Sequence, residues 1–163
     1  YSRHRDFGGL FFLANGASAA KELDFHYSSP NGVGLSPDEQ TIFMADTMTG
    51  RMWAFDLAAP GEIKPASPFN GGRVVATMPG LQYFDSLAMT AAGNVCVATI
   101  LNGGITTITP QGDFSHTAFP DMLVTNIAFG GDDMMDAYLT LSSTGQLIKC
   151  RWPEPGLTLN FNA

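Results

Sequence analysis

"PNGVGLSPDEQTIFMADTMTGRMWAFDL", residues 30–57, is the stretch on which the fold turns. It opens on a polar residue, Asn31. A short apolar run, a turn, a longer apolar strand, a Gly turn and a third strand follow. In the third strand Trp53, Phe55 and Leu57 alternate with Met52, Ala54 and Asp56, which is a strand period. The same order of features returns in "FDSLAMTAAGNVCVATILNGGITTITP", residues 84–110, and in "VTNIAFGGDDMMDAYLTLSSTGQLIKCRW", residues 124–152. Asn31, Asp85 and Thr125 fall in one phase, and Leu35, Met89 and Phe129 fall four residues later in each. The first spacing is 54 residues and the second 40; the longer one absorbs the Pro-rich loop "AAPGEIKPASP". Repeats of ~40–50 residues built from short strands read as propeller blades.

The rest of the chain fits that reading. Outside the repeats, "GLFFLA" and "RVVATM" are further short strand candidates bounded by Gly, Pro, Asn or Asp. The one helix-like patch, "DDMMDA", is too short to be more than a turn. Asn-Gly occurs four times, at Asn15, Asn31, Asn70 and Asn102. Three of these pairs sit where a turn is expected. Asn31-Gly32 instead leads straight into a strand-like run, so Asn31 is either a corner or a ligand.

The strand-and-turn pattern makes this an all-β domain, and the composition allows it a real core: 45% of the 163 residues are hydrophobic and 14% charged. The net charge of −7 leaves no basic stripe, which argues against nucleic acid and anionic membranes as partners. An acidic surface suits cation binding, and solubility accounts for it equally. No run approaches the ~18 apolar residues of a membrane span. Cys96 and Cys150 both lie in apolar strand-like runs and read as buried free thiols. They fit a reducing compartment, and a cytoplasmic setting is expected. The chain begins at Tyr1 rather than Met, which leaves a signal peptide and secretion open.

A propeller closes with at least about four blades. At the repeat length seen here, residues 1–163 hold three to four: part of one at 1–28, then 29–80, 81–121 and 122–163. The expectation is therefore one domain, the C-terminal part of a larger propeller. In such a ring, the residues that start the innermost strands gather at the mouth of a central channel. Asn31 and Asp85 then converge, and their oxygens are hard donors suited to Ca²⁺, Mg²⁺ or Mn²⁺, with Zn²⁺ as an alternative. Asn and Asp also begin many strands merely as turn formers. The shared phase predicts that Leu35, Met89 and Phe129 are all buried in inner strands.

The segment 29–57, followed by "FDSLAMTAAGNVCVATILNGGITTITPQG" and "TNIAFGGDDMMDAYLTLSSTGQLIKCRWPEPG", resembles the regucalcin (senescence marker protein), gluconolactonase and luciferin-regenerating enzyme family. The likeness covers nearly the whole chain in order. It implies a six-bladed β-propeller, of which this chain holds three to four blades, with one divalent metal in the channel, Ca²⁺ first. It implies a lactone or related ester as substrate. It also implies that Asn31 and Asp85 ligate the metal and that Asp85 acts as general base. Ser86 stands where the family usually has Gly. The family's third ligand, a Glu near the start of the propeller, has no match: Glu22, Glu39, Glu62 and Glu154 lie in loops or out of phase. The substrate-contacting Arg and Asn of the family's earlier blades are also unmatched. Residues 1–163 alone are therefore expected to be inactive without the N-terminal blades of the same protein. The alternative class is a non-catalytic propeller that binds Ca²⁺ or a protein partner.

The remaining polar residues have plainer readings. Asp46 is expected to cap the turn that follows its strand. His4, His26 and His116 share no metal spacing and read as surface or loop residues. Neither a Gly-x-Ser-x-Gly elbow nor a Walker loop occurs, which argues against serine-hydrolase and nucleotide chemistry.

Overall fold

The computed structural model describes residues 7–160. His4 lies outside them. The described chain is all strand and turn. β1 (Gly8–Phe12) pairs with β2 (Lys21–Tyr27). A second sheet holds β3 (Pro30–Leu35), β4 (Thr41–Asp46) and β5 (Arg51–Ala59), and β5 also pairs with the short β6 (Glu62–Ile63) and with β7 (Arg73–Thr77). The third runs β8 (Tyr83–Met89), β9 (Val95–Ile100), β10 (Gly104–Ile108), β11 (Phe114–Ala118). The fourth runs β12 (Val124–Gly130), β13 (Asp136–Leu141), β14 (Gln146–Arg151). Neighbouring strands pair antiparallel throughout, as short connections require. The first strands β3, β8 and β12 stand side by side.

The sheets stack face to face, and this explains the unbroken apolar runs. Val95 and Val97 of β9 join Phe43, Met52, Phe84 and Ile108 between the second and third sheets. Cys96 and Ala98, one residue out of step, join Ile105, Ile127, Leu139 and Trp152 between the third and fourth. A strand buried on both faces has no polar face to alternate with. Likewise Phe43 and Ala54 serve one core, while Met44 and Phe55 pack with Leu10 and Tyr27 of the first sheet. Removing each such side chain from water contributes ~1.5–3 kcal/mol.

Three strands bury little beyond Leu23, Tyr27 and Ile63. β2 (KELDFHY), β6 and β11 (FSHTA) are largely exposed and were not among the expected strands. Backbone pairing at the outer side of a sheet makes them strands. As a result His26 and His116 lie on β2 and β11 rather than in loops. His116 Nδ1 is 3.1 Å from Thr106 Oγ1, and Thr106 Oγ1 is 2.7 Å from that of Thr99. Cys96 is fully buried and Cys150 half-buried; both are free thiols. "DDMMDA" falls in the turn before β13.

Two aspartates pin connections from inside. Asp46, 2% exposed, does not cap the turn after β4. Its carboxylate reaches back to accept from the N–H groups of Ser28 (3.2 Å) and Ser29 (2.9 Å), tying down the link from β2 to β3. Asp121 accepts from the N–H groups of Leu123 and Thr144 at 2.7 and 2.9 Å and from the Thr144 hydroxyl at 2.8 Å. Burial pushes its carboxyl pKa up, but these donors overcome that and hold it well below the usual carboxylate range.

Candidate functional site

Each first strand carries a bulge at the same place. Pairing is interrupted between Pro30 and Val33 in β3, between Phe84 and Leu87 in β8, and between Val124 and Asn126 in β12. The residues that escape the ladder are Asn31-Gly32, Asp85-Ser86 and Thr125. A bulge turns a side chain out of the pleat and re-aims it. The shared phase of Asn31, Asp85 and Thr125 is therefore a shared backbone irregularity.

The first two meet. Asn31 Nδ2 donates to Asp85 Oδ1 at 2.8 Å, and the same nitrogen lies 3.2 Å from Thr47 Oγ1. Gly32 allows this approach: a Cβ there would stand 2.6 Å from the backbone oxygen of Asp85 and 3.0 Å from the nitrogen of Leu87. So Asn31-Gly32 is no hairpin corner; its glycine serves close contact between two strands. Asn102-Gly103, by contrast, is the β9–β10 turn, with Gly103 at φ 68°.

Asp85 is half-buried. Burial pushes its carboxyl pKa up, opposed by the hydrogen bonds from the Asn31 amide and the Ser86 N–H. A carboxylate with part of its hydration removed, beside an amide that can turn its carbonyl toward the same space, is a hard-oxygen pair of the kind that suits a divalent cation. The Thr47 hydroxyl is a neutral third oxygen that sequence reasoning missed, because it lies one residue beyond its strand. Among the described residues no group of three His, Cys, Asp or Glu side chains gathers to hold a metal. Glu154 accepts from Asn94 Nδ2 through both oxygens at 3.0 Å, and Glu39 from Asn160 at 3.3 Å. Glu22 and Glu62 are exposed.

Past the bulges, the three first strands become the wall of a cavity of about 1340 Å³. Leu35, Leu87, Met89 and Phe129 line it, together with Phe12 and Leu157. This corrects the expected burial of Leu35 and, in part, of Phe129, which is half-buried. Met89 is 6% exposed, but Leu35 is 42% exposed, because its side chain faces the cavity instead of a packed sheet. The three residues still occupy one register position, opposite Ile42, Val95 and Ala137 respectively.

The family model described as the SMP-30/gluconolactonase/LRE-like region matches residues 1–143. Among solved structures, a calcium-binding protein, regucalcin, from Agrobacterium tumefaciens is 20% identical, with a TM-score of 0.72 over 93% of this chain and 56% of that one. A luciferin-regenerating enzyme is 23% identical, with a TM-score of 0.72 over 98% of this chain and 48% of that one. A gluconolactonase from Xanthomonas campestris is 21% identical, with a TM-score of 0.64 over 80% of this chain and 40% of that one. The likeness shows a β-propeller architecture. The chain spans about half the length of the solved relatives it matches.

Proposed function

The chain belongs to the SMP-30/gluconolactonase/LRE-like family, and from that premise we propose that it carries part of the active site of a divalent-cation-dependent hydrolase of lactones or related esters. The observation that carries this reading is the Asn31–Asp85 pair, two oxygen-bearing side chains brought together by equivalent bulges 54 residues apart.

Asn31 and Asp85 would hold the cation, Ca²⁺ first, with Zn²⁺, Mn²⁺ and Mg²⁺ as alternatives. The chemistry it supplies when bound is Lewis acidity toward a carbonyl or water oxygen. Asp85 accepts the proton of the attacking water as oxygen adds to the ester carbonyl, then returns it to the alkoxide as the ring C–O bond breaks. Its partial burial raises the pKa of the cation-free carboxyl and with it the basicity of the carboxylate. Asn31 fixes the carboxylate through its amide N–H, so the group meets the water in one orientation.

A second reading is a calcium-binding propeller without catalysis. The same hard-oxygen pair, Asn31 and Asp85, would serve it. Hydrolysis of D-glucono-δ-lactone by the intact protein, with Ca²⁺, Mn²⁺ or Zn²⁺ and with chelator, separates the two. Chelator-sensitive hydrolysis supports the enzyme. Tight Ca²⁺ binding with no hydrolysis of lactones or esters leaves the second reading.

A further inference from the structure

The third bulge repeats the geometry of the first with different chemistry. In the second sheet, Asn31 on the bulge reaches Thr47, the first residue after β4. In the fourth, Thr125 on the bulge reaches Ser142, the first residue after β13, with 2.9 Å between hydroxyl oxygens. Thr125 Oγ1 also lies 2.8 Å from Thr140 Oγ1. Three hydroxyls, from β12, β13 and the residue after β13, therefore cluster around the position that carries Asn31 on β3 and Asp85 on β8. Thr140 and Ser142 are exposed and Thr125 half-buried, so the cluster is open to a ligand.

The geometry points to Thr125, with Thr140 and Ser142, as a specificity-determining subsite that binds a hydroxyl of the substrate next to the ester group held at Asp85. This rests on the hydrolase reading above. Each hydroxyl has one proton and two lone pairs. Two bonds join the three hydroxyls, using two of three protons and leaving one donor and several acceptor positions. An alcohol group, at once donor and acceptor, matches that remainder. A methylene does not, and would displace water from hydroxyls it cannot bond. The cluster carries no charge, so it offers a carboxylate or an ammonium no ion pair. β12 is the neighbour of β8, so the contact falls on the part of the substrate flanking the reacting carbonyl.

The test is a comparison of two δ-lactones in the intact protein, D-glucono-δ-lactone and unsubstituted δ-valerolactone. Thr125→Val keeps the shape and removes the hydroxyl. It should lower kcat/KM for the hydroxylated lactone about tenfold, chiefly through KM, and leave δ-valerolactone within about twofold. Thr125→Ser should restore the preference. Equal losses on both lactones, or none on either, would overturn the assignment. If the wild type hydrolyses neither, the hydrolase reading falls on its own. Titration with D-gluconate against 5-hydroxyvalerate then decides the subsite: a wild-type preference for gluconate that Thr125→Val abolishes supports it, and no preference overturns it.

Discussion

The side-chain nitrogen of Asn31 sits 2.8 Å from Oδ1 of Asp85, and neither residue is held there by its own sheet's ladder. Both stand on bulges, so the contact depends on how closely β3 and β8 approach. Function and packing are coupled at this point, and the coupling can be tested from both sides.

Asp85→Asn in the intact protein should lower hydrolysis by about 10²–10⁴-fold, the range for loss of a general base. The same change should stabilise the fold at neutral pH. Burial raises the Asp85 pKa, so its charged form costs folding free energy. That cost is absent below the ordinary carboxylate pKa and fully present once pH exceeds the folded one. With chelator present, so that no bound cation stabilises the wild type, thermal melts should show the variant ahead of wild type at pH 7 and the gap closing as pH falls toward 3. A variant less stable than wild type at pH 7 would contradict this account.

Asn31→Ala removes one of the two hydrogen bonds that oppose burial at Asp85, so the carboxyl pKa should climb further. The acidic limb of the pH–rate profile should move to higher pH, and affinity for Ca²⁺ should fall. Calorimetric titration and a pH series on one preparation read both effects. An unmoved acidic limb would mean that the amide does not set the base.

Gly32→Ala should damage the site more than the fold. The added methyl meets backbone atoms of β8, which cannot swing aside as a side chain would. β3 and β8 must separate by a few tenths of an ångström or more, which lengthens the Asn31–Asp85 contact. Cation affinity should drop even where circular dichroism and the urea midpoint change little. Retention of full affinity would show that the close approach is incidental.

Met89→Ala should cost about 2–5 kcal/mol, the usual range for emptying a core position. Leu35→Ala, at the same register position, should cost under about 1 kcal/mol, because 42% of that residue is already in contact with solvent. Urea unfolding of the pair measures the contrast directly. Equal losses would place Leu35 in a packed core that the cavity denies it.

Much of this was legible in the chain itself. "VCVATI" and "TIFMAD" announce strands because both their faces are buried, and the recurrence of polar residue, short strand and turn places Asn31, Asp85 and Thr125 in phase. What the chain hides best relies on backbone rather than side chains. β11 is a strand by ladder pairing, with its one large apolar residue, Phe114, exposed, whereas β2 does alternate Leu23, Phe25 and Tyr27 with polar residues, a strand period that its charged flank masks. The bulges leave no residue signature of their own. Thr47 and Ser142 look like ordinary turn residues until the bulge across from them is seen. Leu35 reads as core because hydropathy does not distinguish the wall of a cavity from its filling.

The bulge is a property of the pairing and not of the residue it displays: an amide, a carboxylate and a hydroxyl occupy it in three sheets with the same five-against-four step from Pro30, Phe84 and Val124. The residue there is free of the ladder, so strand pairing does not dictate its identity. Such a position lets natural variation rewrite the chemistry at the mouth one letter at a time while the sheets inherit unchanged.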